Sequence, residues 1–196
     1  MNFEIVSQLI KQRQSLFTAQ MLEGAIIPDK DIWELLKLAN YAPSHKRTEP
    51  WRFKVYSKSG LPSLYKKLAE IYWEDTSSEN FNEQKLEKIT SKPKWLSHAI
   101  VICMKRNESE IVPAFEEEYA VACSVQNMLL ALNCLNIIGY WSTPKMCFTD
   151  SFKDFLGLGE ADKCMGILQL GVKKFDLPEI PKPQNSDIRK KVQWID

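Results

Sequence analysis

The sequence predicts an α+β fold made of one domain, residues 1–174, followed by a C-terminal arm, residues 175–196. Two observations predict this class. Stretches with apolar residues at helical spacing alternate with short runs rich in β-branched residues, and prolines cluster near the end of the chain. The 196 residues, 44% of them hydrophobic, suffice for one domain with a sizeable core or for a subunit that shares its core with a partner.

Two helices open the chain. The first is predicted over residues 3–14, where apolar side chains fall on one side of a helical projection before a polar cluster ends it. The second begins near Asp29, after Pro28, and carries two aspartates in its first turn, where negative charge is favourable. The apolar stripes are Phe3, Ile5, Val6, Leu9 and Ile10 in the first helix and Ile32, Trp33, Leu35, Leu36 and Ala39 in the second.

Four strands are predicted at residues 52–57, 99–104, 137–143 and 164–172. The first alternates apolar with polar residues, as a half-buried strand does. The second is apolar throughout, which predicts a buried central strand. Gly139 in the third strand would permit close approach of another group.

Helices are predicted in the intervals between the strands. Residues 61–72 predict an amphipathic helix, and the charged stretch 75–92 is either a mobile helix that covers a ligand or a solvated connector. Pro113 precedes a long helix with three glutamates in its first turn and an apolar body, which predicts burial on most sides. A short helix is predicted at residues 151–156.

The arm has its own character. Three prolines, which lack a backbone N–H, prevent it from forming regular helix or β-sheet hydrogen bonds. Residues 192–195 form a short apolar run at its end. Such an arm is best explained as an extension that packs on another subunit. The prolines are Pro178, Pro181 and Pro183.

Composition argues against several classes of function. A net charge of +1 offers no field for nucleic acid or an anionic membrane. No apolar run has the length of a bilayer span or the plan of a signal peptide, so a cytoplasmic location is expected. The five cysteines are scattered and mostly flanked by apolar residues, which predicts reduced core thiols. With two histidines and no CxxC, a metal site is not expected.

The most functionalised segment is the loop at residues 42–53, between the second helix and the first strand. Pro43 and Pro50 restrain its two ends. Histidine, lysine, arginine and glutamate side chains between them supply several hydrogen-bond donors and one carboxylate acceptor, which suits a planar heteroaromatic ligand with polar edges. The alternative is a solvated connection between helix and strand.

Three segments in order carry a resemblance to a known family. The loop, Ala-Pro-Ser-His-Lys-Arg-Thr-Glu-Pro-Trp-Arg-Phe, is similar to the signature loop of the FMN-dependent nitroreductase family, and its His-Lys pair resembles the compact YdjA-like subgroup. Residues 120–143 resemble the family's long central helix and the strand after it, and residues 166–171 its last core strand. The resemblance implies a nitroreductase fold, with a mixed central sheet flanked by helices, in an intertwined homodimer that exchanges its C-terminal arms.

The resemblance also implies a site for the FMN phosphate at Gln12, Arg13 and Gln14, where the family carries Arg-Arg-Ser. Bidentate contact with phosphate is the physical reason for an arginine there. One basic residue is missing, so another base compensates or phosphate binding is weaker. The candidate bases are Lys11, Lys173 and Lys174. The alternative for Arg13 is a surface arginine near a helix C-terminus, where a cation is favourable.

Two further segments match positions that contact the flavin in the family. In the loop these are His45 and Arg47, the latter where other members carry Asn. Glu49 stands where Gln is usual, and its carboxylate either accepts the flavin N3 hydrogen or pairs with Arg47. The second flavin-contacting segment is matched by Trp141, Ser142 and Thr143. The alternative for Trp141 is a core or interface aromatic.

The implied activity is that of an NAD(P)H-dependent flavoenzyme that reduces nitroaromatic, quinone or similar small-molecule acceptors by a ping-pong mechanism, with the chemistry on flavin N5. The lack of a GxGxxG motif agrees with a nicotinamide that stacks on FMN instead of a Rossmann site. One alternative is a specialised flavoenzyme for which nitro reduction is incidental. The other is a descendant without FMN that acts as a binding or regulatory protein, motivated by the missing base and by Glu49.

Overall fold

The computed structural model describes residues 2–178, 180–182 and 185–195. Their regular elements, apart from short 3₁₀ turns, are α1 (Phe3–Gln12), α2 (Asp29–Ala39), β1 (Trp51–Ser57), α3 (Gly60–Asp75), α4 (Glu83–Ser91), β2 (His98–Met104), α5 (Ala114–Ala131), β3 (Ile137–Ser142), α6 (Asp150–Phe155) and β4 (Lys163–Val172). The α+β class is confirmed, and each of the four predicted strands lies within one residue of its predicted bounds.

The strands form one sheet in the order β1-β2-β4-β3. All three neighbouring pairs are antiparallel, so the expectation of a mixed sheet is wrong for the four strands of one chain. The β1–β2 and β3–β4 connections bring the second strand back beside the first in the opposite direction. The crossover from β2 to β3 through α5 leaves one position between these two strands, and β4 fills it antiparallel to both. The strands β2 and β4 are central and almost wholly buried, whereas β1 and β3 are the edges.

Two hydrophobic cores lie on the two faces of the sheet. One face packs against α3 and α6, and the other packs against α2 and α5. Alternate residues of β2 serve the two cores, as the pleat of a strand requires. Gly139 does need close approach, but from within the sheet: a Cβ there would collide with the backbone carbonyl oxygen of Gln169 on β4.

The first helix is shorter than predicted and packs differently. It ends at Gln12, since Arg13 has extended backbone angles (φ −62°, ψ 126°). None of its residues is buried, and its apolar side chains face solvent, with Phe3 82% exposed. Packing within the described chain therefore does not explain the amphipathic pattern of α1, because its apolar face is left uncovered.

The charged stretch at 75–92 is a packed helical excursion. Its helix α4 buries Ile89 against the core of α3, and the Phe81 ring stacks 5.6 Å from the Tyr72 ring, centre to centre. Tyr72 also accepts a hydrogen bond from the backbone N–H of Asn82 (2.9 Å). The stretch therefore does connect α3 to β2, as the connector interpretation has it, but its apolar side chains are packed against α3 and are not solvated.

Two expectations are corrected, one about the burial of α5 and one about the cysteines. The helix is buried along the sheet, but Phe115, Tyr119 and Cys123 form an exposed stripe at successive four-residue intervals. Of the five cysteines, Cys123 and Cys134 are exposed and the other three are buried; all are free thiols. The core-thiol prediction is therefore wrong for those two, because their position on the helix and the turn after it points them away from the sheet.

The arm lies largely in solvent. Its described residues from 185 onward are all exposed, and Trp194 has 84% of its surface accessible. The Lys182 ammonium donates to the backbone carbonyl of Lys11 (3.0 Å), which ties the arm to the end of α1. The predicted apolar run at 192–195 has no strand partner within residues 2–178, 180–182 and 185–195.

Candidate functional site

The loop before β1 holds strained backbone. Lys46, Arg47 and Glu49 have positive φ angles of 51°, 54° and 43°. A left-handed conformation costs a residue with a Cβ on the order of 1 kcal/mol, and it persists where the surroundings or a ligand use the geometry. The hydroxyl of Thr48, between Arg47 and Glu49, is buried without a hydrogen-bond partner among the described residues.

Contacts at both ends hold the loop. The Ser44 hydroxyl accepts from the backbone N–H of Glu49 (3.2 Å), and Trp51 donates its indole N–H to Asn40 (2.9 Å). The side chain of Lys46 donates to the backbone carbonyl of Ile111 (3.4 Å). The loop therefore keeps its shape through its own sequence and through the segment that precedes α5.

His45 is oriented by a residue that sequence reasoning missed. Its imidazole Nδ1 lies 2.6 Å from the Glu116 carboxylate in the first turn of α5. The three glutamates of that turn have three different partners: Glu117 pairs with Arg106 (2.5 Å) and Glu118 with Lys163 (2.5 Å). Successive helical residues point about 100° apart, so the turn reaches three parts of the fold at once.

The Arg47 and Glu49 side chains do not form an ion pair with each other or with other described residues. The proposed pairing of Glu49 with Arg47 is therefore not the arrangement in this structure. Left-handed backbone at both positions separates two side chains that would lie on the same side of an extended strand. The guanidinium of Arg47 is exposed, and the side chain of Glu49 lines a groove beside α2.

The three residues at the end of α1 lie beside the start of β3. Asn133 donates its side-chain amide to the backbone carbonyl of Gln12 (3.3 Å), and the N–H of Leu16 donates to the carbonyl of Gly139 (3.1 Å). Arg13 and Gln14 are half-buried, and their side chains have no hydrogen-bond partner among the described residues. A half-buried guanidinium without a carboxylate is suited to an anionic ligand.

One candidate for the missing base is occupied elsewhere. The Lys174 ammonium donates to the carbonyl of Ala19 (2.9 Å) and lies 5.4 Å from the centre of the Trp95 ring. The side chain of Lys11 is exposed at the end of α1, beside Arg13 in sequence. Lys11 is therefore the better placed of these two bases to assist Arg13.

The third segment, Trp141–Thr143, ends β3. Trp141 donates its indole N–H to the carbonyl of Met165 (2.9 Å), and Ser142 is half-buried. Gly166 makes room for all three residues, because a Cβ there would lie 2.5 Å from the Ser142 carbonyl, 2.8 Å from the Trp141 indole nitrogen and 2.9 Å from the Thr143 methyl. Trp141 and Thr143 line a cavity of about 600 Å³.

A buried polar network supports this segment from behind. Tyr65 and Tyr140 each donate a phenolic hydrogen to Gln169 Oε1 (3.0 and 2.9 Å), and Gln169 Nε2 donates to the Ser142 hydroxyl oxygen (2.6 Å). Burial raises the pKa of Tyr140 to about 12 and raises the pKa of Tyr65 well above its ordinary value. Both phenols therefore stay neutral donors at physiological pH.

Two buried cysteines, Cys147 and Cys164, also line the cavity beside Trp141. A hydrogen bond with Cys164, together with burial, raises the pKa of the Cys147 thiol. Burial raises the pKa of Cys103, the neighbour of Cys164 across the sheet, to about 12. Thiols held neutral in this way are weak nucleophiles, so covalent chemistry at Cys103 or Cys147 has no support here.

The three segments do not converge in one chain. The N-terminal trio, Gln12, Arg13 and Gln14, lies near Gly139 on the β3 edge, and Trp141–Thr143 lies at the end of the same strand. From Gly139 to Ser142 the distance along the strand is about 10 Å. The loop instead contacts the first turn of α5, while Gln12 contacts Asn133 beyond its last turn. At about 1.5 Å per residue, α5 separates the loop from the trio by roughly 25 Å.

Two absences concern the described residues alone. No three His, Cys, Asp or Glu side chains among them come together as a metal site. No helix in that part of the chain is long and apolar enough to cross a membrane.

The family model described as the Nitroreductase family matches residues 11–172. A Bacillus subtilis (strain 168) protein named “Putative NAD(P)H nitroreductase YfhC” is 25% identical over 180 residues, which cover 91% of this chain and 89% of that protein. A nitroreductase-like family protein from Bacillus cereus superposes with a TM-score of 0.78 at 24% identity, covering 100% of this chain and 98% of the other.

A nitroreductase with bound FMN from Bacteroides fragilis NCTC 9343 has a TM-score of 0.67 at 18% identity, with 100% of both chains covered. These solved structures share the fold of this chain, and the family match spans all four strands and all three site segments. The chain therefore belongs to the nitroreductase family, and the predicted class of enzyme, an oxidoreductase of this family, is confirmed.

Proposed function

We propose that the protein is an FMN-dependent oxidoreductase that takes hydride from NAD(P)H and reduces small acceptors such as nitroaromatic compounds or quinones by a ping-pong mechanism. The strained loop carries the proposal, because three left-handed residues with side chains of both charges are costly without a ligand. The NAD(P)H in the name of YfhC and the FMN in the Bacteroides fragilis structure support the choice of donor and cofactor.

The residues present fit the donor and acceptor needs of FMN. Arg13 supplies a half-buried guanidinium with no carboxylate partner among the described residues, suited to the phosphate, with the amides of Gln12 and Gln14 beside it. The side chains of His45 and Arg47 supply donors for the polar edge of the ring system. The hydroxyl of Thr48, between Arg47 and Glu49, is a further polar group that finds no hydrogen-bond partner in the described part of the chain.

The remaining assignments follow the same chemistry. Glu49 would accept the flavin N3 hydrogen, since it has no cationic partner among the described residues. Trp141, Ser142 and Thr143 would form the second segment that contacts the flavin. When bound, the flavin accepts and passes on hydride at N5, so the protein needs to orient donor and acceptor and exclude water but need not supply a general acid or base.

A homodimer completes the site in this proposal. Because the loop and Gln12 lie roughly 25 Å apart in one chain, the proposed site takes the loop from a second copy, which brings it to the residues at the end of α1. Uncovered apolar side chains mark the surfaces for this contact: Phe3 on α1, and the Phe115–Tyr119 pair on α5, whose rings lie 5.6 Å apart. Exposed apolar surface of this extent is unusual for a monomer.

The arm, residues 175–196, packs on the partner subunit in this proposal, while residues 1–174 form the domain. The free edge of β1 and the facing side of α2 form a groove of about 640 Å³, lined by Trp33 and Phe53. Residues 192–195 carry Val192 and Trp194 at alternate positions, both exposed, which suits a strand added to that edge. The partner's arm is the proposed occupant.

An absorbance spectrum of the protein purified without added flavin tests the proposal. Flavin bands that bleach on anaerobic addition of NADH or NADPH are the expected result. If no flavin copurifies and none is taken up from added FMN, the protein is instead a descendant that acts in binding or regulation. Sedimentation of the same sample reports whether flavin occupancy accompanies the dimer.

The phosphate site is tested by Arg13→Ala, which removes the guanidinium. FMN retention after dialysis should fall, because a charge-assisted contact contributes about 1.5–3 kcal/mol. Lys66→Ala is the matched control, since Lys66 is an exposed base whose ion pair with Glu70 is long (3.9 Å). Equal flavin occupancy in the two variants would remove Arg13 from the site.

A further inference from the structure

The Gln169 amide has one orientation that satisfies its surroundings. Tyr65 and Tyr140 are buried, and their hydroxyl groups have no hydrogen-bond partner besides Gln169 among the described residues. A buried O–H hydrogen without an acceptor costs about 1–3 kcal/mol. Only the amide oxygen can accept both hydrogens, so Oε1 faces the two phenols. The amide N–H groups must then face Ser142.

This orientation fixes the role of the Ser142 hydroxyl. Its oxygen accepts a hydrogen from Gln169 Nε2 at 2.6 Å, so its own hydrogen has to point elsewhere. The only acceptor for that hydrogen in the described chain is the carbonyl of Ile167 at 3.4 Å, longer than a good O–H···O bond. The hydrogen is therefore available to a better acceptor at the end of β3.

We propose that Gln169 is a positioning residue that makes Ser142 a hydrogen-bond donor to an acceptor atom of the bound flavin ring. This inference rests on the proposed function, since it requires FMN beside Trp141–Thr143. Tyr65 and Tyr140 act through Gln169 by locking its amide. The network sets the direction of the hydrogen bonds as well as the position of Ser142. The two phenols donate to the Gln169 amide, the amide donates to the Ser142 oxygen, and the Ser142 hydroxyl is left to donate to the flavin.

Gln169→Glu tests the direction, because it is nearly isosteric and its hydrogen-bonding character depends on pH. When the introduced carboxyl is protonated, it still accepts from the phenols and donates to Ser142. When it is ionised it can only accept, so Ser142 turns its hydrogen inward and the donor to the flavin is lost. The FMN dissociation constant of the variant, divided by that of the wild type, should rise by about two- to tenfold as pH increases.

Ser142→Ala supplies the second arm of the test. It should weaken FMN binding by about two- to tenfold at every pH, whereas Ser142→Thr, which keeps a hydroxyl, should restore it. In the Ser142→Ala background, Gln169→Glu should add no pH-dependent loss, because its effect passes through Ser142. Repulsion between the new carboxylate and FMN, or a general loss of packing, would persist in that background.

The outcomes separate this inference from the proposed function. If the wild type takes up no FMN, the proposed function fails. If the wild type binds FMN and Ser142→Ala binds it equally well, Ser142 is not a donor and the positioning role is overturned, whether or not Gln169→Glu folds. A pH-independent ratio for a folded Gln169→Glu variant, checked by circular dichroism, overturns the direction of the network.

Discussion

His45 and Glu116 form a contact of 2.6 Å between imidazole Nδ1 and carboxylate Oε2 that joins the strained loop to the first turn of α5. Both side chains are partly exposed, so the contact is partly screened by solvent. Its value lies in orientation, because the second imidazole nitrogen is left facing away from α5 and free for a ligand.

Glu116→Gln is expected to weaken FMN binding about two- to tenfold by loosening His45, without a large change in stability. Fluorescence titration of the flavin-free protein with FMN measures it. Glu108→Gln is the control, since Glu108 is exposed and its ion pair with Lys105 is long (3.8 Å). An effect of equal size in both variants would mean that net charge, and not the orientation of His45, controls binding.

Neighbouring glutamates are expected to differ sharply in stability. The Glu117 carboxylate is 1% exposed and pairs with Arg106, so Glu117→Ala leaves a buried cation and should lower the free energy of unfolding by about 3–5 kcal/mol. Glu118→Ala removes a partly exposed pair with Lys163 and should cost about 0–1 kcal/mol. Urea denaturation compares them; similar losses would contradict the burial argument.

Gly166→Ala is expected to displace Trp141–Thr143. Its φ of 112° disfavours any side chain, and the new Cβ would meet the Ser142 carbonyl at 2.5 Å. Lower thermal stability and lower flavin retention should appear together. Gly60→Ala is the matched control, since its Cβ would meet Tyr56 at an ordinary 3.6 Å and it opens a helix. Full flavin retention in Gly166→Ala would separate this glycine from the site.

Stability is expected to fall in alkali. Burial raises the pKa of Cys103 from 9.0 to about 12 and that of Tyr140 from 10.0 to about 12. Between the ordinary and the raised pKa of each group, the unfolded state has lost a proton that the folded state keeps. The free energy of unfolding therefore falls as pH rises, by about 1.4 kcal/mol per pH unit for each group. Below pH 9.0 the contribution of Cys103 is fully present.

Urea midpoints from pH 8 to 11 measure this decline. Cys103→Ala should make the decline shallower, and Tyr140→Phe should do so in the upper part of the range, whatever each substitution does to stability at neutral pH. An unchanged slope in both variants would assign the alkaline loss to other groups.

Deleting residues 186–196 is expected to shift the proposed dimer toward monomer or aggregate, because it removes the exposed Trp194 and its neighbours. Sedimentation velocity at several concentrations checks this. A variant with Val192→Ser and Trp194→Ser keeps the length of the arm and tests the apolar contact alone. A dimer that stays intact in both would leave the arm without a role in assembly.

The strands were predictable because their signals are local: alternation at 52–57 and an apolar run at 99–104 need no knowledge of distant residues. The partner of His45 was not, because Glu116 is far away in sequence and its place in a helix first turn already had an explanation. Gln169 did leave a signal, as a lone polar residue in an apolar strand. Its hydrogen-bond partners could come only from the fold.

The exposed stripe on α5 and the separation of the site segments had no sequence signal either. Phe115, Tyr119 and Cys123 have the same apolar character as the residues that α5 buries, so composition cannot tell which side of the helix the sheet covers. Likewise the resemblance identifies positions but not how far apart the fold places them in one chain.

The three partners of the first turn of α5 also restrict how the chain can change in length. Inserting or deleting one residue between Pro113 and Glu118 rotates the turn by about 100° and breaks the contacts to His45, Arg106 and Lys163 together. The exposed segment at 108–110 can absorb such a change, since its exposed side chains make only ion pairs with Lys105 and Arg106 (3.8 and 3.5 Å) among the described residues. Tolerated length variation should therefore stop abruptly where the helix begins.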